Sequence, residues 1–379
     1  DGVIGGVGGV LVFLPQIGIL FLFLSLLEDT GYLARAAFVM DRLMRRVGLP
    51  GKAFVPMLSA HACAVPAIMS ARVIESRRDR LVTMMVLPLL SCSARIPVYA
   101  MITALLFPHR PLVAGLVFTG AYTLGIVAAL VMAYVFKRTL LPGETKPLVL
   151  ELPGYKMPSL KTALLATFDR CRIFVKRAGT VILAVSIVLW FLATYPKSPV
   201  PEVAEQQLAA AEQLELNGEV ESANALRQQA ERATSQNNLA NSFAGRLGHR
   251  IEPIIAPLGF DWQIGVGVVS SFAAREVIVS TLAVVYGVGE TAAEENPSSL
   301  YDSLRAATRS DGSPVFTTAT CVSLLIFYVL AMQCLSTQAV TRRETGGWRW
   351  PMFQLGYMTV LAYVSALAVF QLLNGLGVT

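Results

Sequence analysis

Thiol, imidazole and carboxylate groups interrupt apolar runs in this chain at places where a simple membrane span has only hydrocarbon. The stretch Ala53 to Ala71, AFVPMLSAHACAVPAIMSA, is apolar enough to enter a membrane, yet it holds His61 and Cys63 near its middle, together with Pro56 and Pro66. Proline removes a backbone donor and clashes with the preceding turn. In hydrocarbon each freed backbone group costs several kcal/mol unless protein or trapped water satisfies it. Such a break persists only where it lines a cavity, and discontinuous helices of this kind form substrate sites near the bilayer midplane. Leu81 to Phe107 is interrupted by Pro88, by Ser91-Cys92-Ser93-Ala94-Arg95 and by Pro97. An arginine near the middle of a span faces the protein interior or a wet cavity. Ile254 to Gly287 contains Ser270-Ser271-Phe272-Ala273-Ala274-Arg275-Glu276, and an intramembrane carboxylate marks a functional site by default.

The elements that must position these groups follow from composition and charge. Of 379 residues, 54% are hydrophobic and 15% charged, with a mean hydropathy of +0.58, which excludes an ordinary soluble domain. The net charge of +6 does not point to nucleic acid, because the basic residues fall in short loops between apolar runs and there set orientation. Five dispersed cysteines (Cys63, Cys92, Cys171, Cys321, Cys334) give neither a disulfide framework nor zinc-type spacing. No cleavable signal peptide is visible, since the first apolar run is long and lacks a basic leader.

Val3 to Leu27 has the length of a span. The basic segments Glu28 to Lys52 and Arg72 to Arg80 flank Ala53–Ala71 and both read as cytoplasmic, so the stretch between them is a re-entrant hairpin (53–71). A broken span (81–107) and a plain span (112–136) complete a first repeat over 1–138. A basic amphipathic linker follows over 139–177. Residues 178–379 read as a second repeat: an outward span to Tyr195, a hairpin over Ile254 to Gly287, and plain spans over Val315 to Val340 and Phe353 to Leu376. The Ala-, Glu- and Gln-rich insertion 197–250, with a turn at Gly218, is a helical hairpin on the outer face. Its apolar positions are too sparse for sustained heptads. The expected fold is an all-α polytopic membrane protein with inverted repeats, re-entrant or broken helices and an extracytoplasmic helical hairpin insertion. By this parity both ends lie outside, and the chain reads as a fragment of something longer.

LPQIGILFLFLSLLEDTGYLARAAFVMDRLMRRVGLPGKAFVP, CAVPAIMSAR, RRDRL, SCSARIPVY, ELPGYKMPSL and the AREV segment around Glu276 closely resemble the membrane domain of the ferrous iron transport protein B family, FeoB. The resemblance runs over most of the chain. It implies paired gate regions of the nucleoside-recognition type, import of ferrous iron across the bacterial inner membrane, and a cytoplasmic GTPase domain with small accessory proteins as partners. A homo-oligomer is a further expected assembly. No phosphate-binding loop occurs in this sequence, because Gly51-Lys52 is followed by Ala53 and Arg46 stands where the first glycine is needed. The chain is therefore expected to be a transporter domain without enzyme activity or bound cofactor, carrying Fe2+ as cargo.

Ferrous iron accepts thiolate, imidazole, thioether and carboxylate ligands, and passage needs labile binding, not a closed cage. On the resemblance, Cys63 matches the gate cysteine, Cys92 a second one, and Glu276 the acidic residue of the second repeat. The family's Gly-Cys-Asn-Val-Pro reads Ala62-Cys63-Ala64-Val65-Pro66 here, so an amide is lost while His61 offers an imidazole. Where the family has Pro-Cys after Tyr-Val, Tyr328-Val329 is followed by Leu330-Ala331, and the nearest thiol is Cys334. The candidate metal-contacting set is thus Cys63, His61, Cys92, Glu276 and Cys334. Pro66, Ser91, Ser93, Arg95, Pro97 and Arg275 are expected in gate or structural roles, Arg95 as a partner of carbonyl groups or a carboxylate. A buried cysteine is otherwise a small hydrophobe, the role expected of Cys171 and Cys321. Manganese or a nucleoside-like solute as cargo, and a scaffold that has lost transport, are the alternative readings.

Overall fold

The computed structural model describes residues 14–15, 18–19, 21–143, 154–196, 198–199, 201–216, 220–272, 275, 277–286, 297–309 and 312–377. Most of the proposed first span, Val3 to Leu27, and the residues Gly218 and Glu276 lie outside them. Among the described residues the regular structure is helical, apart from one isolated bridge between Thr308 and Pro314.

A helical stretch over 21–29 (α1) turns at Gly31, whose φ of 77° glycine adopts without a Cβ clash, into α2 (Tyr32–Arg46). Two short helices follow, α3 (Phe54–Ala60) and α4 (Ala64–Ser70), packed on each other. Pro56 and Pro66 each occupy the third position of their helix, where the missing N–H has no intrahelical acceptor to lose. The prolines thus start two helices, and the break falls on His61, Ala62 and Cys63.

Next come α5 (Arg77–Val86) and α6 (Ile96–Leu106), which together form an interrupted crossing, and the unbroken α7 (Pro111–Thr139). α8 (Leu160–Phe174) passes through a π-helical turn, Val175–Gly179, into α9 (Thr180–Thr194), so the expected outward span is the second half of a longer helical run. α10 (Glu202–Leu216) and α11 (Val220–Asn241) form the polar hairpin. Its seam is made of Ala204 and Ala211 facing Ala223 and Ala230, all at most 1% exposed. The seven-residue spacing within each pair gives a close alanine contact, which Arg227 and Glu215 clip with an ion pair.

The remaining elements are α12 (Phe243–Ile255), α13 (Trp262–Ser270), α14 (Val277–Val285), α15 (Pro297–Ala306), α16 (Thr318–Leu330), α17 (Leu335–Thr345) and α18 (Arg349–Gly375). Sequence reading makes Val315 to Val340 one plain span. The chain instead leaves the helix at Ala331 and resumes it at Leu335, so this crossing is interrupted too. Among the described residues, four helical runs are long and apolar enough to cross a membrane. Of their most apolar windows, 72% and 67% are buried in the interrupted Arg77–Leu106 and Thr318–Thr345, against 22% and 17% in the unbroken Pro111–Thr139 and Arg349–Gly375. The interrupted crossings therefore make the centre, and α7 and α18 present Leu112, Leu116, Val360 and Val364 outward, as a helix against lipid does.

Burying an interrupted helix requires partners for its freed carbonyls, and several are identifiable. Pro88 has no N–H to give Met84 O. Gln354 of α18, itself 0% exposed, donates from Nε2 to Met84 O (2.9 Å) and Met85 O (3.2 Å). Tyr357 donates its hydroxyl to Met85 O at 2.6 Å. At the end of α12, Tyr363 donates to Ile254 O (2.7 Å) and Gln371 to Pro257 O (3.2 Å). At one end of the bundle, where basic residues gather, Lys137 of α7 forms a buried ion pair with Asp79 of α5, and Arg72 clasps Glu344 of α17 with two hydrogen bonds of 2.7 and 2.6 Å.

Candidate functional site

Three of the five cysteines share one local geometry. Cys63, Cys92 and Cys334 are each the extended residue that immediately precedes a helical start, with φ/ψ of −154/131°, −94/167° and −151/101°. Their side chains are half-buried, Cys63 and Cys92 beside other partly buried residues and Cys334 directly after the buried Ala331, Met332 and Gln333. Backbone N–H groups of the following helix face two of the sulfurs, Val65 for Cys63 and Ser336 and Thr337 for Cys334, without completing a capping bond. Helix starts carry partial positive charge. The three thiols lie in one neighbourhood of the fold.

The breaks are tied in pairs, in the same way in each half. In the first, Ala62 O accepts from Ser93 N–H (3.4 Å) and from Ser93 Oγ (3.0 Å). In the second, Phe272 O accepts from Leu335 N–H at 3.2 Å. Ser93 and Leu335 are the residues directly after Cys92 and Cys334. Each short-helix pair is thereby fixed to a central interrupted crossing at its thiol.

His61 lies beside Cys63, half-buried, its ring stacked on Tyr122 with centroids 6.3 Å apart. Its Nδ1 is 3.2 Å from Ser91 O. A carbonyl only accepts, so Nδ1 carries the proton and Nε2 of the neutral ring keeps a free lone pair. This is the arrangement that orients a metal-binding imidazole. Ser91 is fully buried and shares a 3.0 Å hydrogen bond with the Tyr99 hydroxyl. Pro97 is the second residue of α6, where its missing N–H again has no helical acceptor.

Arg95 is 0% exposed, and its two terminal nitrogens donate to backbone, Nη1 to Leu89 O (2.9 Å) and Nη2 to Pro88 O (2.9 Å) and Ala331 O (3.4 Å), while its Nε has no partner among the described residues. Arg275, 4% exposed, donates from Nη2 to the same Ala331 O at 3.3 Å. Both arginines thus act as carbonyl partners. Among the described residues no three His, Cys, Asp or Glu side chains converge closely enough to hold an ion, so Cys63, His61, Cys92 and Cys334 do not form a closed cage. Glu276 lies outside the described residues. Cys171 is half-buried on α8 and Cys321 is 2% exposed in the core.

Sequence reading missed Tyr328, Gln333 and Gln354, all at most 1% exposed. The signal was present in the run Met332-Gln333-Cys334-Leu335-Ser336-Thr337-Gln338, but uncharged polar residues barely lower the hydropathy of a window and pass as part of a span.

An all-helical membrane protein with thiols and buried arginines at its helix breaks is the class that this fold and these breaks define. Residues 10–106 and 175–348 match the family model described as gate, nucleoside recognition, and residues 118–170 match that of the ferrous iron transport protein B C terminus. The Fe(2+) transporter FeoB of Leptospira biflexa is 44% identical over 382 residues, covering 100% of this chain and 51% of that protein. That of Leptospira interrogans serovar copenhageni is 43% identical, covering 98% and 50%. A Porphyromonas gingivalis protein described as a Fe(2+) transport protein A/Fe(2+) transporter FeoB fusion is 40% identical, covering 98% and 44%. The chain belongs to the ferrous iron transport protein B family. It spans about half the length of these curated relatives, and no solved structure matches it.

Proposed function

We propose that this chain forms the membrane pathway through which ferrous iron crosses the bacterial inner membrane, the ion passing Cys63, Cys92 and Cys334 with His61 beside them and Glu276 as the acidic contact of the second hairpin. The observation that carries this reading is the shared placement of three half-buried thiols at extended residues before helix starts, at the breaks of the helices. Sulfur favours a borderline divalent ion over magnesium or calcium. Separate thiols, with no closed cage among the described residues, suit an ion that must leave as readily as it arrives.

The order of elements supports an inverted repeat. Two short helices, an interrupted crossing and an unbroken crossing occur as α3 to α7 and again as α13 to α18, and the loop charges reverse between the halves. In this reading 1–138 and 178–379 are the two gate repeats, joined by 139–177. The pairs α3–α4 and α13–α14 are re-entrant from opposite faces, and 197–250 is an outer-face insertion. A cytoplasmic GTPase domain couples to or gates passage in the whole protein. A small accessory protein is a further partner, in keeping with the Fe(2+) transport protein A portion of the Porphyromonas relative.

Uptake of radiolabelled ferrous iron by the whole protein in proteoliposomes tests the reading. Cys63→Ser is expected to lower uptake by about tenfold or more, the size of effect seen when metal-site chemistry is disturbed, with smaller losses for Cys92→Ser and Cys334→Ser. Unchanged uptake in all three, with the proteins folded, removes the thiols from the pathway. Absence of iron uptake by the unchanged protein removes the function.

A further inference from the structure

We propose that Gln333 and Tyr328 form a neutral oxygen station that holds the water shell of the ion beside Cys334; the proposal rests on the ion-pathway reading above. Gln333 is 1% and Tyr328 0% exposed. The Tyr328 hydroxyl faces the Ser271 hydroxyl and the Gln333 amide, but among the described residues neither it nor the amide oxygen and nitrogen of Gln333 completes a hydrogen bond of good geometry. A buried polar group left without a partner costs about 1–3 kcal/mol, whereas an apolar group of the same shape there is neutral or stabilising. Three such atoms at one helix break are therefore expensive as packing. Native proteins keep them where water or a ligand completes the bonds.

Position and charge narrow what that ligand is. Gln333 directly precedes Cys334 in the break that is hydrogen-bonded to the second short-helix pair through Leu335 and Phe272. The guanidinium groups of Arg95 and Arg275 meet two residues away at Ala331 O. Their positive charge opposes tight binding of a bare divalent ion at this point. An amide and a phenol are neutral, each both donor and acceptor, and suit the oriented waters of a partly hydrated ion held at longer range. The thiol of Cys334 then supplies the sulfur contact, and the neutral station supplies hydration without a deep well.

The test uses the whole protein in proteoliposomes, with radiolabelled ferrous iron uptake and thermal melting measured together. Gln333→Leu is expected to lower uptake by about tenfold, one ion-directed hydrogen bond's worth, while the melting temperature stays the same or rises. Tyr328→Phe, which keeps the ring, is expected to give a smaller loss of uptake with unchanged melting. Uptake in both variants equal to that of the unchanged protein overturns the station. So does a fall in melting temperature of Gln333→Leu in parallel with uptake, since the amide is then a structural bonding group. If the unchanged protein transports iron and Cys63→Ser does not, while Gln333→Leu does, only the station fails and the pathway reading stands.

Discussion

Arg95, at the break of the first interrupted crossing, and Arg275, from the second short-helix pair, both donate to one atom, the carbonyl oxygen of Ala331. That carbonyl ends α16, where the helix supplies no further N–H. Two halves of the chain, 180 residues apart in sequence, are thus joined at the break of the second interrupted crossing. Both guanidinium groups act there as backbone donors.

Because the two guanidinium groups share one acceptor, their removal is expected to be non-additive. Arg95→Lys loses the fork that serves Leu89 O and Pro88 O and should destabilise the protein by about 2 kcal/mol, the scale of one charged hydrogen bond. A double-mutant cycle with Arg275→Lys, read by chemical or thermal unfolding in detergent, should give an interaction energy of at least about 0.5 kcal/mol. Strict additivity would mean that the two donors do not act on the same carbonyl.

Gln354 makes the separate prediction that a glutamine in an apolar helix is structural. Gln354→Leu removes the donor from Met84 O and Met85 O and leaves the first without its side-chain partner beside Pro88. The expected cost is about 1–3 kcal/mol, read as a lower melting temperature. Gln354→Glu should be worse, since a carboxylate has no N–H to give and buries a charge. A leucine variant as stable as the unchanged protein would show that Met84 O has another partner.

The pair Asp79–Lys137 is buried at both ends, with side chains 4% and 7% exposed. Lys137→Ala should cost about 3–5 kcal/mol because it strands a buried carboxylate, whereas the double change Asp79→Leu with Lys137→Met should recover most of the loss. Gly48 lies where any Cβ would strike the Lys137 side chain, and its φ of 80° belongs to glycine. Gly48→Ala is therefore expected to disturb the same pair. Comparing the melting temperatures of the three variants checks the set; a double change no more stable than Lys137→Ala would place the loss elsewhere.

Class, membrane location and the sites of most helix breaks were determined by the sequence itself, because proline chemistry and the cost of charge in hydrocarbon act locally. Pro56, Pro66, Pro88 and Pro97 mark the ends of helices wherever the rest of the chain lies, and Arg95 announces an interior position by being unaffordable against lipid. Tertiary structure alone decided what those groups meet. The break at Ala331–Cys334 has no proline to reveal it, and its carbonyl is satisfied by arginines from two distant segments. The partners Gln354 and Tyr357 are unremarkable in an apolar run until Met84 and Met85 are placed beside them. The common N-terminal placement of Cys63, Cys92 and Cys334 likewise emerges only on folding. Hydropathy averages over a window, while a hydrogen bond joins two particular atoms, and no average over neighbours in sequence contains a neighbour in space.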